Sequence, residues 1–245
     1  MRALAFADRN RKELLRDPLT VFFGLGFPLV LLFLLSAIQS NVPVPLFRIE
    51  SLAPGVASFG LTFIALFSAT LISRDRAQSL MMRLCASPMT ASDFLAGYML
   101  PLLPMACAQI AVCYLAAAPL GLTLNADALL SLIVLLPSAV MYIAIGLLCG
   151  TLLSDKQVGG ICGALLTNVC AWLSGVWFDL SLLGDGFEKA AKLLPFVNGV
   201  AAARAAVSGN YGEIPLPLGI VCIYAAAIFV LAVVVFRRRL KSGRI

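Results

Sequence analysis

The sequence predicts an all-α integral membrane protein with six transmembrane helices, an N-terminal amphipathic surface helix and short re-entrant or interfacial helices before the last span. The chain is 61% hydrophobic and only 12% charged, about half the charge that a soluble domain typically carries. All of its charged residues lie outside six charge-free runs, each long enough to cross a hydrocarbon core of about 30 Å as a helix. The six runs are 18–47, 51–73, 94–126, 128–154, 157–178 and 214–236.

Helices, and not a barrel, follow from the continuity of these runs. Inside a bilayer every backbone N–H and C=O must be satisfied by the protein, which leaves helices or closed barrels. Barrel strands alternate apolar and polar residues over about 10 positions, whereas these runs are continuously apolar. We therefore expect residues 1–245 to form a single transmembrane domain.

The distribution of basic residues predicts the orientation of the bundle. Fourteen of the 18 Lys and Arg residues flank the first and last runs or lie in the loops after runs two and four. The other four are Arg48, Lys189, Lys192 and Arg204. By the positive-inside rule both termini lie in the cytoplasm, as an even number of spans requires. We expect a multi-pass protein of the plasma (inner) membrane, whose basic residues also contact membrane lipids. Membrane topology explains the excess of basic residues better than nucleic-acid binding does.

Three segments lie outside the spans in this arrangement. Residues 1–17 mix apolar and charged residues and predict a helix on the cytoplasmic surface. Residues 74–93 form the cytoplasmic loop between spans two and three. Residues 179–213 form an outer segment, in which the mostly apolar stretches 182–194 and 197–207 predict two short helices; a disordered loop is the less favoured alternative.

Two glycine pairs predict close helix contacts. Gly146 and Gly150, and likewise Gly159 and Gly163, lie one helical turn apart within spans four and five. Such small-residue pairs let two helices approach closely, either within one chain or at a subunit interface.

The absence of charge within the runs limits the chemistry of the protein. Intramembrane ionisable residues mark proton relays and ion sites, and the chain has none in its runs and no histidine at all. No catalytic constellation, metal site or phosphate-binding loop can be recognised. A proton-coupled carrier is therefore disfavoured, although sodium sites built from backbone carbonyls remain open. Energy for transport would have to come from another chain.

The cytoplasmic loop is the most informative segment for function. Leu80, Met81 and Leu84 are spaced as one face of a short amphipathic helix that Pro88 ends, with Arg76 and Arg83 on other faces. A linker on the membrane surface is the alternative.

This loop resembles the signature of type 2 ATP-binding cassette exporter permeases, which runs approximately E-R-E-x-G-T-L-E-x-L-x-x-T/S-P. Asp75, Arg76, Leu84, Ser87 and Pro88 match it directly or conservatively, and Met81 replaces a leucine; Ala77, Ser79 and Leu80 depart from it. The stretch 173–178, followed by 193–196 and Arg204, is similar to the S-G-x-x-F … N-P … R run of the same family. The resemblance covers nearly the whole chain.

The resemblance implies a half-transporter that is not itself an enzyme. Two permease chains, identical or sister, would pair, and two ABC ATPase subunits would bind ATP and Mg on the cytoplasmic side, so this chain needs no cofactor. The outer short helices would act as a gate, and spans two and five would line the pathway. The residues implied in ATPase coupling are Asp75, Arg76, Leu80, Met81, Arg83, Leu84 and Pro88. The candidates for lining the pathway are Phe59, Phe63, Phe67, Asn168 and Trp172, although the Phe stripe has lipid or a neighbouring helix as an alternative partner.

The leading hypothesis is thus the permease of an ATP-driven exporter for an amphiphilic or apolar substrate, such as a drug, peptide, lipid or lipid-linked glycan. Two alternatives stay open: a non-transporting membrane scaffold or immunity protein, and an ion-coupled secondary carrier.

Overall fold

The computed structural model describes residues 2–42, 44–78 and 90–241, and these ranges contain helices and turns without strands. We number the helices in chain order. They are α1 (Arg2–Arg16), α2 (Pro18–Asn41, π-helical over Phe22–Gly26), α3 (Ile49–Ala77), α4 (Ala91–Ala117), α5 (Ala126–Leu152), α6 (155–173, π-helical over Gly159–Leu166), α7 (Asp185–Lys192), α8 (Pro195–Val207) and α9 (Pro215–Lys241).

Five of these helices are long and apolar enough to cross a membrane: α2, α3, α4, α5 and α9. The bent pair of α7 and α8 brings the count to six if it is taken as one broken span. The predicted fifth span, 157–178, corresponds to α6, which ends earlier, at Leu173, and is not one of these five helices. The predicted class, an all-α membrane protein, is confirmed.

Helix α1 and the end of α9 lie at the same end of the bundle. Phe94, in the first turns of α4, contacts Phe6 of α1 at a ring-centroid distance of 5.9 Å and Phe236 near the end of α9 at 6.0 Å. We call this end the terminal end and the other one the distal end. An even number of crossings is the arrangement that places α1 and the end of α9 together.

Helix α3 is the centre of the fold. Its apolar stretch is 89% buried, against 17% for α9 and 22% for α2. Gly146 and Gly150 of α5 allow the closest contact with it, because a Cβ atom at Gly146 would lie 2.2 Å from the carbonyl oxygen of Ala65. The prediction of close packing is therefore confirmed for this pair, within the chain. At Gly159, by contrast, an added Cβ atom would meet no other helix within 4 Å in the described part of the chain.

The helices extend beyond the charge-free runs that predicted them. Helix α3 includes Glu50 in its first turn and Arg74 and Asp75 near its end, and Asp75 is fully buried. These residues lie outside the predicted span 51–73, so the helix is longer than the charge-free run, and the run itself holds no ionisable residue. Such residues occur there because the ends of the helix can pair them with other helices, which the middle of a bilayer does not readily allow.

The outer segment forms two short helices, as predicted, but with a different start. Gly184, with φ of +91°, separates a 3₁₀ turn at Leu180–Leu183 from α7. Helices α7 and α8 meet at 83°. The side-chain amide of Asn198 stabilises this corner by donating to the carbonyl oxygens of Lys192 and Leu194, at 2.7 and 2.6 Å.

Candidate functional site

The last turns of α3 form a four-way junction at the terminal end, which includes the first residues of the predicted coupling loop 74–93. Four consecutive side chains there bind four other parts of the chain: the start of α6, the start of α2, helices α1 and α4, and the end of α5. The contacts join Ser73 Oγ to Asp155 Oδ1 at 3.1 Å, Arg74 Nη1 to Asp17 Oδ2 at 3.5 Å, Asp75 to Arg9 and Tyr98, and Arg76 to the carbonyl oxygens of Gly150 and Leu153.

Asp75 is the most thoroughly paired member of this junction. Its two carboxylate oxygens accept hydrogen bonds from the two Nη atoms of Arg9, both at 2.7 Å, and the hydroxyl of Tyr98 donates a third bond at 2.9 Å. The side chain of Asp75 is fully buried, whereas that of Arg9 is 35% exposed. A bidentate guanidinium–carboxylate pair fixes both distance and orientation, so α1 is held rigidly against α3 and α4.

Helix α1 reaches this position because its apolar face packs against α4 and not against lipid alone. The ring of Phe6 lies 4.9 Å from that of Tyr98, and a Cβ atom at Gly97 would lie 2.3 Å from Phe6. The fully buried Asn10 donates its side-chain amide to the carbonyl oxygen of Gly97 at 3.0 Å. The N-terminal helix is thus anchored by shape and by a specific hydrogen bond.

The charges around Arg9 perturb one another. Burial acts to lower the pKa of Arg9, but the hydrogen bonds and charge of Asp75 outweigh it and raise that pKa, so the guanidinium stays charged. Burial raises the pKa of Glu13 above its ordinary value, although Arg9, 2.7 Å away, opposes the shift. The Arg9–Asp75 pair is therefore the dominant interaction, and Glu13 is an auxiliary partner on the exposed side.

A polar pocket of about 730 Å³ opens beside this junction. Its walls carry both signs of charge and come from α1, the start of α2 and the end of α3. The lining residues are Ala5, Asp8, Arg9, Lys12, Glu13, Arg16, Asp17 and Arg74. This surface presents hydrogen-bonding groups to a polar partner more readily than to lipid tails.

An aromatic pocket of about 480 Å³ lies at the distal end. It is lined by Ala171, Trp172, Trp177, Phe178, Leu182 and Leu183. The rings of Trp172 and Phe178 meet edge to face at 5.9 Å, and 58% of Trp172 is exposed. Such a surface is suited to apolar ligands.

The comparisons with known proteins agree with this architecture. The model of the family described as "ABC-2 type transporter" matches residues 2–207, which is most of the chain. The chain belongs to the ABC-2 type transporter family. It is also similar to Nodulation protein J of Sinorhizobium fredii (strain NBRC 101917 / NGR234), with 25% identity over 229 residues that cover 93% of this chain and 86% of that protein.

The junction includes two of the predicted coupling residues of this ABC-2 chain. The side chains of Asp75 and Arg76 both form hydrogen bonds to other helices of this chain. They therefore fix the position of the helix end from which the loop begins. Their role in ATPase coupling stays a prediction. The other five predicted coupling residues, Leu80, Met81, Arg83, Leu84 and Pro88, lie outside the described residues.

The structure separates the residues predicted to line the pathway. Phe59, Phe63 and Phe67 are at most 8% exposed and face α2 and Trp177, with ring distances of 5.3 Å from Phe63 to Phe27 and 5.1 Å from Phe59 to Trp177. Within one chain the stripe therefore packs against neighbouring helices, one of the alternatives that the sequence left open.

Asn168 and Trp172 lie instead on the exposed face of α6. The amide of Asn168 donates to the carbonyl oxygen of Ala164 in its own helix at 2.8 Å. Of the five candidates, Phe59 and Trp172 lie near the aromatic pocket. Trp172 lines it, and Phe59 contacts Trp177, which also lines it. A pathway role for all five residues stays a prediction.

Sequence reasoning missed the partners of Asp75. Arg9 and Tyr98 carry no motif, and they lie 66 and 23 residues away along the chain. The available signal was Asp75 itself, an acidic residue between two arginines at the end of an apolar run, where a buried carboxylate requires a cation.

Proposed function

We propose that this chain is the transmembrane permease of an ATP-driven exporter and moves an amphiphilic or apolar substrate out of the cytoplasm. A drug, a peptide, a lipid or a lipid-linked glycan would fit this description. The permease would not be an enzyme, because a separate ABC ATPase subunit would bind ATP and Mg and hydrolyse the ATP. Two permease chains, the same or sisters, would pair to form the pathway. The observation that carries the proposal is the four-way junction at the base of the 74–93 loop.

The junction supports coupling because it links one loop to almost the whole bundle. A rigid element passes on a displacement only through contacts that persist during the movement. Four consecutive residues of α3 bind α1, α2, α4, α5 and α6 through charged or hydrogen-bonding groups. A push on the loop by an ATPase would therefore move these helices together.

We infer the orientation of the bundle in the membrane from the basic residues at its terminal end. The terminal end holds α1 and the end of α9, with basic residues on both. We propose that this end faces the cytoplasm in the plasma (inner) membrane, where anionic lipid headgroups attract such residues. The 74–93 loop and the polar pocket beside Arg9 then face the ATPase, and α7 and α8 form a gate on the outer side.

Charge reversal in the loop tests the coupling assignment. Purification of the wild-type complex from native membranes should recover an ATP-binding subunit in equal amount with the permease. Arg83→Glu should reduce that recovery about tenfold or more, because one buried or desolvated charge contact contributes at least 1.4 kcal/mol. We choose Arg83 and not Arg76, because Arg76 bonds to Gly150 and Leu153 and its replacement would disturb the fold.

Lys156→Glu is the matched control, since Lys156 is an exposed cation in the first turn of α6, at the same end of the bundle. Equal recovery of the ATPase with Arg83→Glu and Lys156→Glu would contradict the coupling role of the loop. Purification without any ATP-binding subunit would favour the scaffold alternative. Uptake driven by an ion gradient in vesicles without ATP would favour the secondary carrier.

We further propose that the aromatic pocket receives the apolar part of the substrate at the distal end. Trp172→Ala should weaken the apparent affinity for a fluorescent phospholipid, used as the amphiphilic probe, about tenfold, because burying an aromatic ring contributes about 1.5–3 kcal/mol. The rate of ATP hydrolysis should change little, since the junction is at the other end. Half-saturating concentrations in proteoliposomes measure the effect. Leu129→Ala, an equally exposed residue near the distal end outside this pocket, should leave transport unchanged.

A further inference from the structure

Arg204 is a cation at the distal end that the junction and the aromatic pocket do not use. It belongs to α8, and its Nε donates to the carbonyl oxygen of Ser51 in the first turn of α3 at 3.0 Å. Its Nη1 donates to the carbonyl oxygen of Gly175, just after α6, also at 3.0 Å. One side chain therefore joins the gate helix α8 to spans two and five.

The partners of Arg204 are carbonyl groups and not acids. In the part of the chain that the structure describes, no carboxylate forms an ion pair with it, and Asp179 acts on it only electrostatically from a distance. The Gly175 carbonyl follows the C-terminal end of α6, where the helix dipole presents partial negative charge. These dipoles replace a counter-ion.

The third nitrogen of the guanidinium has no acceptor among the described protein atoms. Nη2 is buried without a hydrogen-bond partner and lies against Gly55, where an added Cβ atom would approach it to 3.3 Å. A buried donor that lacks an acceptor carries a free-energy penalty. Water would supply the missing acceptor as soon as α8 moved away from α3.

We propose that Arg204 is the positioning residue of the outer gate, holding α8 closed against spans two and five until export opens it. This inference rests on the proposed function. Opening breaks the bonds to Ser51 and Gly175, but it also lets water reach Nη2, so part of the free-energy cost is recovered. The hydration of Nη2 thereby lowers the free energy that a partner subunit must supply to open the gate.

Removal of the guanidinium tests this role in proteoliposomes that contain the purified complex. Arg204→Gln should release trapped carboxyfluorescein faster than wild type in the absence of ATP. Amide hydrogen exchange in residues 195–207 should accelerate about tenfold or more, because two charge-assisted hydrogen bonds are lost. The rate of ATP hydrolysis should be retained, so that less fluorescent phospholipid is moved per ATP. A residue needed only for folding would lower both rates together.

Three further variants keep the test independent of folding. Arg204→Lys keeps the charge but cannot reach both carbonyls equally, and should give intermediate leakage. Gly55→Ala keeps Arg204 but places a Cβ atom 3.2 Å from both Cγ atoms of Val176 and 3.3 Å from Nη2. It crowds the contact between α3 and α8 and should act in the same direction as Arg204→Gln. Arg48→Gln removes an exposed cation from the same end and should match wild type.

Wild-type leakage and exchange in Arg204→Gln would overturn the proposal. Neither assay requires ATP, so a failure of the ATPase experiment above leaves this result interpretable.

Discussion

Replacing Arg9 with alanine should lower the free energy of unfolding by about 3 kcal/mol, one of the largest effects expected for a single residue in this chain. The substitution leaves the fully buried carboxylate of Asp75 with the Tyr98 hydroxyl as its remaining partner. Breaking a buried pair by removing one member costs about 3–5 kcal/mol, because a charge stays buried without compensation. We take the lower figure because the Arg9 side chain is 35% exposed. Thermal and denaturant unfolding in detergent would measure the loss.

Replacing the other member of the pair, Asp75, should lower the free energy of unfolding less. In Asp75→Asn the guanidinium of Arg9 keeps Glu13 at 2.7 Å and access to water, so its charge remains compensated. The double variant should be more stable than the sum of the two single effects predicts, by about 1 kcal/mol or more. Arg11→Ala, which removes an exposed arginine of the same helix, is the matched control. If Arg9→Ala were as mild as Arg11→Ala, the junction would not hold α1 in place.

Local sequence signals predicted most of the spans. The charge-free runs identified α2, α3, α4, α5 and α9, since a bilayer demands long apolar helices whatever their neighbours are. Asp17 followed by Pro18 predicts a helix start, and the Asp17 carboxylate accepts from the backbone N–H of Leu19 at 3.0 Å. Such signals depend only on residues that are adjacent in sequence, so one sequence is sufficient to read them.

Which face of a span is buried could not be predicted in the same way. Lipid tails are as apolar as leucine, so hydrophobicity does not separate a lipid-facing side chain from a core one. The phenylalanines of α3 show this: Phe59 is 7% exposed, whereas Phe33 of α2 is 47% exposed. The pairing of Arg9 with Asp75 was hidden for a different reason, because it joins residues that only the tertiary fold brings together.

A second large effect is expected at the contact between α3 and α5. In Gly146→Ala the new Cβ atom would lie 2.2 Å from the carbonyl oxygen of Ala65 and 2.6 Å from the Cβ atom of Ser68. Backbone atoms in the centre of the bundle cannot move aside, so the two helices must separate. The hydrogen bond from Ser68 Oγ to the carbonyl oxygen of Ile143, now 3.1 Å, would be lost with the contact. We expect destabilisation of about 3 kcal/mol or more, measured by unfolding in detergent.

Gly159→Ala supplies the matched control, because it makes the same chemical change in another span. Among the described residues, no atom from outside its own helical turn lies within 4 Å of the Cβ position at Gly159, and alanine favours a helix over glycine by about 1 kcal/mol. This variant should therefore be as stable as wild type or slightly more stable. The sequence presents the two glycines as equivalent. A loss of stability in Gly146→Ala without a loss in Gly159→Ala would show that contact with α3, and not the removal of a glycine, determines the effect. Equal losses at Gly146 and Gly159 would contradict the close packing of α5 on α3.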